Sequence, residues 1–163
     1  NKNYAAGAGT ALSIDSLTQA ELLFLDQVDY DGKPLGIMPA ILLVPNALNA
    51  KAAQLMNSTE IRETATNKTY GVTNPHAGKF RVERSSYLGN AAYGNSATSW
   101  YLLADPAEEA VIEVAFLNGV ETPTVESAAA DFNRLGIQLR GYHDFGVALR
   151  EPKAGVKMLG TAE

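Results

Sequence analysis

The chain has 163 residues, an apolar fraction of 46% and a formal net charge of −5. That length suits one domain with a full core of its own, and the acidic balance argues against a dedicated nucleic-acid binder or a protein held on anionic membrane. Cysteine is absent, which removes disulfides, thiolate metal sites and a thiol nucleophile and leaves the compartment open.

No run approaches the ~18 apolar residues of a membrane span. The chain begins at Asn1 without methionine or a signal-peptide layout, and it reads as a fragment, processed or engineered. Residues 1–10, "NKNYAAGAGT", are small and glycine-rich and predict a frayed start. A helix follows. Ser16 or Thr18 can cap it, Glu21 stands three residues after Thr18 as a capping box requires, and Leu17, Leu22, Leu25 and Val28 form its apolar face. Asp29 to Gly32 ends it in a turn.

Ile37 to Val44 reads as a strand buried on both faces, with Pro39 at an edge or opening position and Pro45 as the stop. Asn46 to Met56 reads as a helix whose core face is Ala47, Leu48, Ala52, Leu55 and Met56. The polar stretch from Asn57 to Lys79 predicts a long surface excursion. Strands are expected at Phe80 to Val82, continuing through Tyr87-Leu88, and at Trp100 to Pro106. Another is expected at Ala110 to Gly119, closed by an Asn-Gly turn. From Gly136 to Leu149 the alternation of Ile137 and Leu139, then Phe145, Val147 and Leu149, is strand periodicity. The class is α+β with more strand than helix. Trp100, Leu102, Ile112, Val114 and Phe116 alternate as inward-facing core residues would.

Several fragments imitate reactive motifs. "QVDYDG" resembles a calcium loop, but the first and twelfth positions would be Gln27 and Met38 instead of carboxylates. His143-Asp144 is a pair seen in metal phosphohydrolases, yet the only other histidine is His76 and such sites need three or more converging ligands. "DFG" lacks every other kinase element, and "GAGT" follows no strand. Asn57-Ser58-Thr59 and Asn67-Lys68-Thr69 match the glycosylation acceptor, a pattern frequent by chance, and Glu108-Glu109 are neighbours that do not face each other. No catalytic, cofactor-binding or metal-binding residue is therefore expected, and no enzyme.

The pattern "DGKPLGIMPAILLVPNALNAKAAQLM", Asp31 to Met56, resembles the turn, strand and helix of Mu-like and related tailed-phage major capsid proteins. "NPHAGKFRVE" from Asn74, "WYLLADP" from Trp100, "FLNGVETPTVE" from Phe116 and "GIQLRGYHDFGV" from Gly136 resemble later family segments in the same order. The tail from Arg150 and the Gly141-Tyr142-His143 stretch depart from the usual pattern. The resemblance implies a Hong Kong 97-type capsid fold. Residues 1–163 would be a single C-terminal domain, mostly A domain, with a closing P-domain strand at about residues 136–149. It also implies a head-shell subunit whose partners are copies of itself in capsomer hexamers and pentamers, with scaffold, protease and portal proteins as further candidates. No specific nucleic-acid sequence and no membrane is implied. The location would be the virion capsid, after assembly in the bacterial cytoplasm. An encapsulin-like shell and a small phage-encoded binding module are the rival readings.

Overall fold

The computed structural model describes residues 3–65, 68–129 and 135–161. The chain divides into two compact units, Asn1–Val111 with Glu151–Glu163, and Ile112–Arg150.

The first unit opens with a short strand, β1 (Tyr4–Ala5), and a helix, α1 (Ile14–Leu25). The helix starts earlier than Ser16 or Thr18 because Ser13 and Ser16 cap it reciprocally. The Ser13 hydroxyl accepts from the Ser16 amide at 3.2 Å, and the Ser16 hydroxyl accepts from the Ser13 amide at 2.9 Å. The buried face is Leu17, Ala20 and Phe24, one stripe at 3.6-residue spacing. Leu22, Leu25 and Val28, expected inside, are exposed. Asp29 turns its carboxylate onto the amides of Asp31 and Lys33, both at 2.8 Å, so the calcium-like loop is an ordinary side-chain-to-backbone turn.

Strand β2 (Pro39–Pro45) is followed by a 3₁₀ turn, Asn46–Leu48, and α2 (Asn49–Asn57). Ala52 and Met56 are buried, with Leu48 and Leu55 packed beside them, whereas Ala47 is exposed. The excursion after α2 is a hairpin of β3 (Glu60–Ala65) and β4 (Lys68–Thr73), paired from Glu60↔Thr73 to Ala65↔Lys68. Of the two acceptor-like asparagines, Asn67 lies outside the described residues. Strand β5 (Arg81–Ser85) begins after the buried Phe80, and Tyr87–Gly89, read as its continuation, is a 3₁₀ turn. Strand β6 (Trp100–Ala104) stands where the sequence places it.

The second unit holds four strands: β7 (Ile112–Phe116), β8 (Thr124–Ala129), β9 (Ile137–Tyr142) and β10 (Phe145–Leu149). The strand expected at about residues 136–149 is thus two strands, interrupted at His143-Asp144. The Asn-Gly turn after β7 is present, with Asn118 at φ 56° and Gly119 at φ 71°. The chain then returns to the first unit as β11 (Gly155–Met158), which sequence pattern did not reveal.

A five-stranded sheet in the order β1-β11-β6-β2-β5 organises the first unit. Its β2–β5 and β1–β11 pairs are parallel, and β2–β6 and β6–β11 are antiparallel. Of the edge and opening positions expected for Pro39, the opening one holds: it is the first residue of β2, an interior strand. It sits where the β2–β6 register shifts, so its missing N–H disturbs no regular ladder. Val82, Leu42, Leu102 and Val156 are in register across four strands. With Leu12, Leu17, Phe24, Trp100 and Met158 they make one apolar core, most of it wholly buried. The glycine-rich start is anchored here. The Trp100 indole N–H donates to the Thr10 carbonyl at 3.0 Å, and Thr10 is buried.

Candidate functional site

Asn74 and His76, from the "NPHAG" segment, close the first unit behind α2. The Asn74 side-chain amide donates to the carbonyls of Leu55 and Ser58 at 2.6 and 2.8 Å, and its oxygen accepts from the His76 amide at 2.9 Å. His76 is 2% exposed and stacks on Phe80 with ring centroids 5.8 Å apart. Thr18 donates its hydroxyl proton to the Ile14 carbonyl, so the 2.9 Å contact with His76 Nε2 requires that nitrogen to carry the proton. Nδ1 is then a buried acceptor without a partner, 3.8 Å from the Glu21 carboxylate. Lys79 pairs with the same carboxylate.

Burial holds the His76 pKa below its ordinary value of 6.5. Glu21 acts the other way, and Lys79 adds to the lowering. A histidine that resists protonation in the folded state stabilises the fold fully above about pH 6.5, and that stability is lost as pH falls from there through the depressed value. We expect the urea midpoint to fall between pH 7 and pH 5, and His76→Gln to flatten that part of the profile. An unchanged slope in the variant would place the acid sensitivity elsewhere.

His143 and Asp144, the best-placed candidates for metal chemistry, lie in the second unit. The His143 ring stands between Phe116 and Phe145, at centroid distances of 5.5 and 5.2 Å. Its Nε2 is buried without a hydrogen-bond partner. The Asp144 carbonyl accepts from the Leu117 amide at 3.1 Å. A cleft of about 190 Å³ adjoins them, lined also by Asn118, Thr122, Thr124 and Tyr142. Among the described residues no three histidine, aspartate or glutamate side chains gather to hold a metal.

What sets this unit apart is its surface. None of its described residues is buried, and it holds more than half of the exposed large apolar side chains among the described residues. Strands β7 and β10 pair antiparallel, with Ile112↔Leu149, Val114↔Val147 and Phe116↔Phe145 in register. All six side chains share one face because strand residues two apart point the same way. Ile112 and Val114, expected in the core with Trp100, are 59% and 48% exposed. The alternation was real, but the ribbon has only two strands, and among the described residues its apolar face stays open except where the His143 ring meets Phe116 and Phe145. Strands β8 and β9 form a second ribbon, held on its polar face by Arg140, whose Nε donates to Glu126 at 2.8 Å. The sheet of the first unit ends differently, in a charged edge strand where Arg81 pairs with Glu83 at 3.0 Å.

No described helix is long and apolar enough to cross a membrane. A search of the curated proteins finds no match. A family model described as "Phage capsid protein" matches residues 1–158, nearly the whole chain. The ordered motifs, the mixed fold and the exposed apolar unit agree with that match, and the chain belongs to this phage capsid protein family.

Proposed function

We propose that the chain is a structural subunit of a bacteriophage or prophage head shell, Mu-like in sequence and Hong Kong 97-type in fold. Copies assemble into capsomer hexamers and pentamers that enclose DNA. Most of the chain corresponds to the A domain, and the segment at about residues 136–149 contributes the closing P-domain strand. The match to the capsid family over residues 1–158 carries this reading.

Physical features support it. Shell subunits need repeated contacts closed by symmetry instead of a reactive pocket. A unit with no buried residue among those described and abundant apolar surface suits a part whose partners come from assembly. The net charge of −5 suits a wall that does not clamp its packaged nucleic acid. No catalytic step, cofactor or metal enters this function. The subunit would assemble in the bacterial cytoplasm and reside in the virion, with scaffold, protease and portal proteins as further partners.

Electron microscopy of the complete gene product, purified from bacteria, tests the proposal. Rings or closed shells are the expected result, and shells made alongside the other head proteins should contain DNA. Shells filled with an enzyme would point to an encapsulin-like container. A discrete small oligomer with no particle under any condition would favour a binding module and sink the shell reading.

A further inference from the structure

The apolar face of the β7–β10 ribbon has a definite size, shape and charge. Val114 and Val147 form its centre, Ile112 and Leu149 one end, and Phe116 and Phe145 the other. Phe145, Val147 and Leu149 are 59%, 61% and 65% exposed. At ordinary side-chain sizes the face offers roughly 500 Å² of apolar surface, near the upper end of what a monomeric protein leaves open. A two-stranded ribbon is also marginal in water by itself and gains stability once a second layer covers it.

The charge pattern selects the occupant. None of the six residues is charged, whereas the opposite face carries Glu113 beside the small Ala115, Gly146 and Ala148. A protein of net charge −5 meets its own copy most readily through a neutral face, where like charges are not brought together. The face is also close to self-complementary, with a valine pair at its centre and bulky side chains at both ends. We infer that this face is an interface between copies of the chain. Two ribbons stack face to face, about 10 Å apart, as a four-stranded sandwich. The inference rests on the shell reading and names the surface through which two subunits meet. Two such faces together bury roughly 1,000 Å², the size of a weak and reversible contact. That strength suits a subunit that must associate correctably before a shell closes.

The absence of cysteine gives a clean test. Val147→Cys and Val114→Cys place a single thiol at the centre of the face, and Ala115→Cys places one on the opposite face. On mild oxidation with diamide at about 100 µM protein, a concentration suited to weak contacts, the two valine variants should form disulfide-linked dimers at least about tenfold faster than Ala115→Cys. Sedimentation velocity of the unmodified chain should show concentration-dependent association. Val147→Lys should weaken it about tenfold or more, while Ala148→Lys on the other face leaves it within about threefold. Circular dichroism of each variant verifies folding. Val147 is already exposed, so the lysine fits the monomer.

Equal cross-linking from both faces, or association untouched by Val147→Lys, overturns this interface and leaves the shell proposal standing, since particles would then close through other surfaces. A strictly monomeric chain at several hundred micromolar overturns it too, and assigns the face to a different segment or partner. Loss of particles in microscopy concerns the shell reading and is measured separately.

Discussion

Replacing Trp100 with alanine should destabilise the chain by about 4–5 kcal/mol, a loss few single substitutions reach. Trp100 is wholly buried on β6, opposite Met158 of β11. Truncating a large buried aromatic side chain removes its transfer free energy and leaves a cavity, together costing about 3–5 kcal/mol. The indole N–H also satisfies the buried carbonyl of Thr10 at 3.0 Å. Orphaning that acceptor adds about 1 kcal/mol or more. The loss extends beyond the sheet, because this bond holds Thr10, and with it the approach to α1, on the core. Chemical denaturation monitored by far-ultraviolet circular dichroism measures it, since the variant has no other tryptophan to report on folding. Ile112→Ala provides the contrast. Ile112 is 59% exposed on a two-stranded ribbon, so its truncation should cost less than about 1 kcal/mol. Equal losses at the two sites would mean that the ribbon is covered in the isolated chain and that its face is not free.

Ile112 and Trp100 also show where sequence reasoning stops. Both lie on strands, and the period of two was legible in each case. Alternation tells which residues share a face, but it does not tell whether another layer lies over that face. Trp100 and Leu102 face a helix and neighbouring strands drawn from distant parts of the chain, whereas Ile112 and Val114 face solvent. Helix α1 shows a related limit. Leu22 and Leu25 look more apolar than Ala20, yet Ala20 is inside because 3.6-residue geometry aligns it with Leu17 and Phe24.

The missed elements were those whose pairing is remote or whose composition resembles loop. Strand β11 has four residues and is held by β6 and β1, the latter more than 150 positions away in the chain. The β3–β4 hairpin is mostly polar, with Ile61 and Val72 paired across it among charged residues and threonines, so its composition resembles loop. The capsid resemblance was legible because turn, strand and helix from Asp31 to Met56 form a local pattern, and the family match extends it to residues 1–158. The apolar ladder was legible as two alternations, Ile112 to Phe116 and Phe145 to Leu149. Their union on one uncovered face needed the register.

Gly160→Ala should be comparably damaging for a different physical reason. Gly160 has a φ of 77°, a left-handed conformation in which a side chain is strained by about 1–2 kcal/mol. A Cβ there would also lie 1.8 Å from the Thr98 carbonyl oxygen and 2.5 Å from its carbon, so backbone has to move. Neither side can yield cheaply. The hydroxyls of Thr98 and Ser99 both donate to the Leu159 carbonyl at 3.2 Å. On the other flank, the Thr161 amide donates to the Thr10 hydroxyl at 3.0 Å, and its carbonyl accepts from the Ala11 amide at 3.1 Å. The segment is thus clamped between the approach to β6 and the start of the chain. Adding even one methyl group should cost about 3 kcal/mol or more, the left-handed strain plus overpacking. Gly78→Ala separates the two contributions. Gly78 also has a positive φ, 67°, but an added Cβ would meet nothing within 4 Å. It should therefore show the conformational strain alone, about 1–2 kcal/mol. The same denaturation experiment on both variants decides the matter. If Gly160→Ala were no worse than Gly78→Ala, Gly160 would not be seated against Thr98, and the clamping of residues 159–161 between Thr98-Ser99 and Thr10-Ala11 would have to be abandoned.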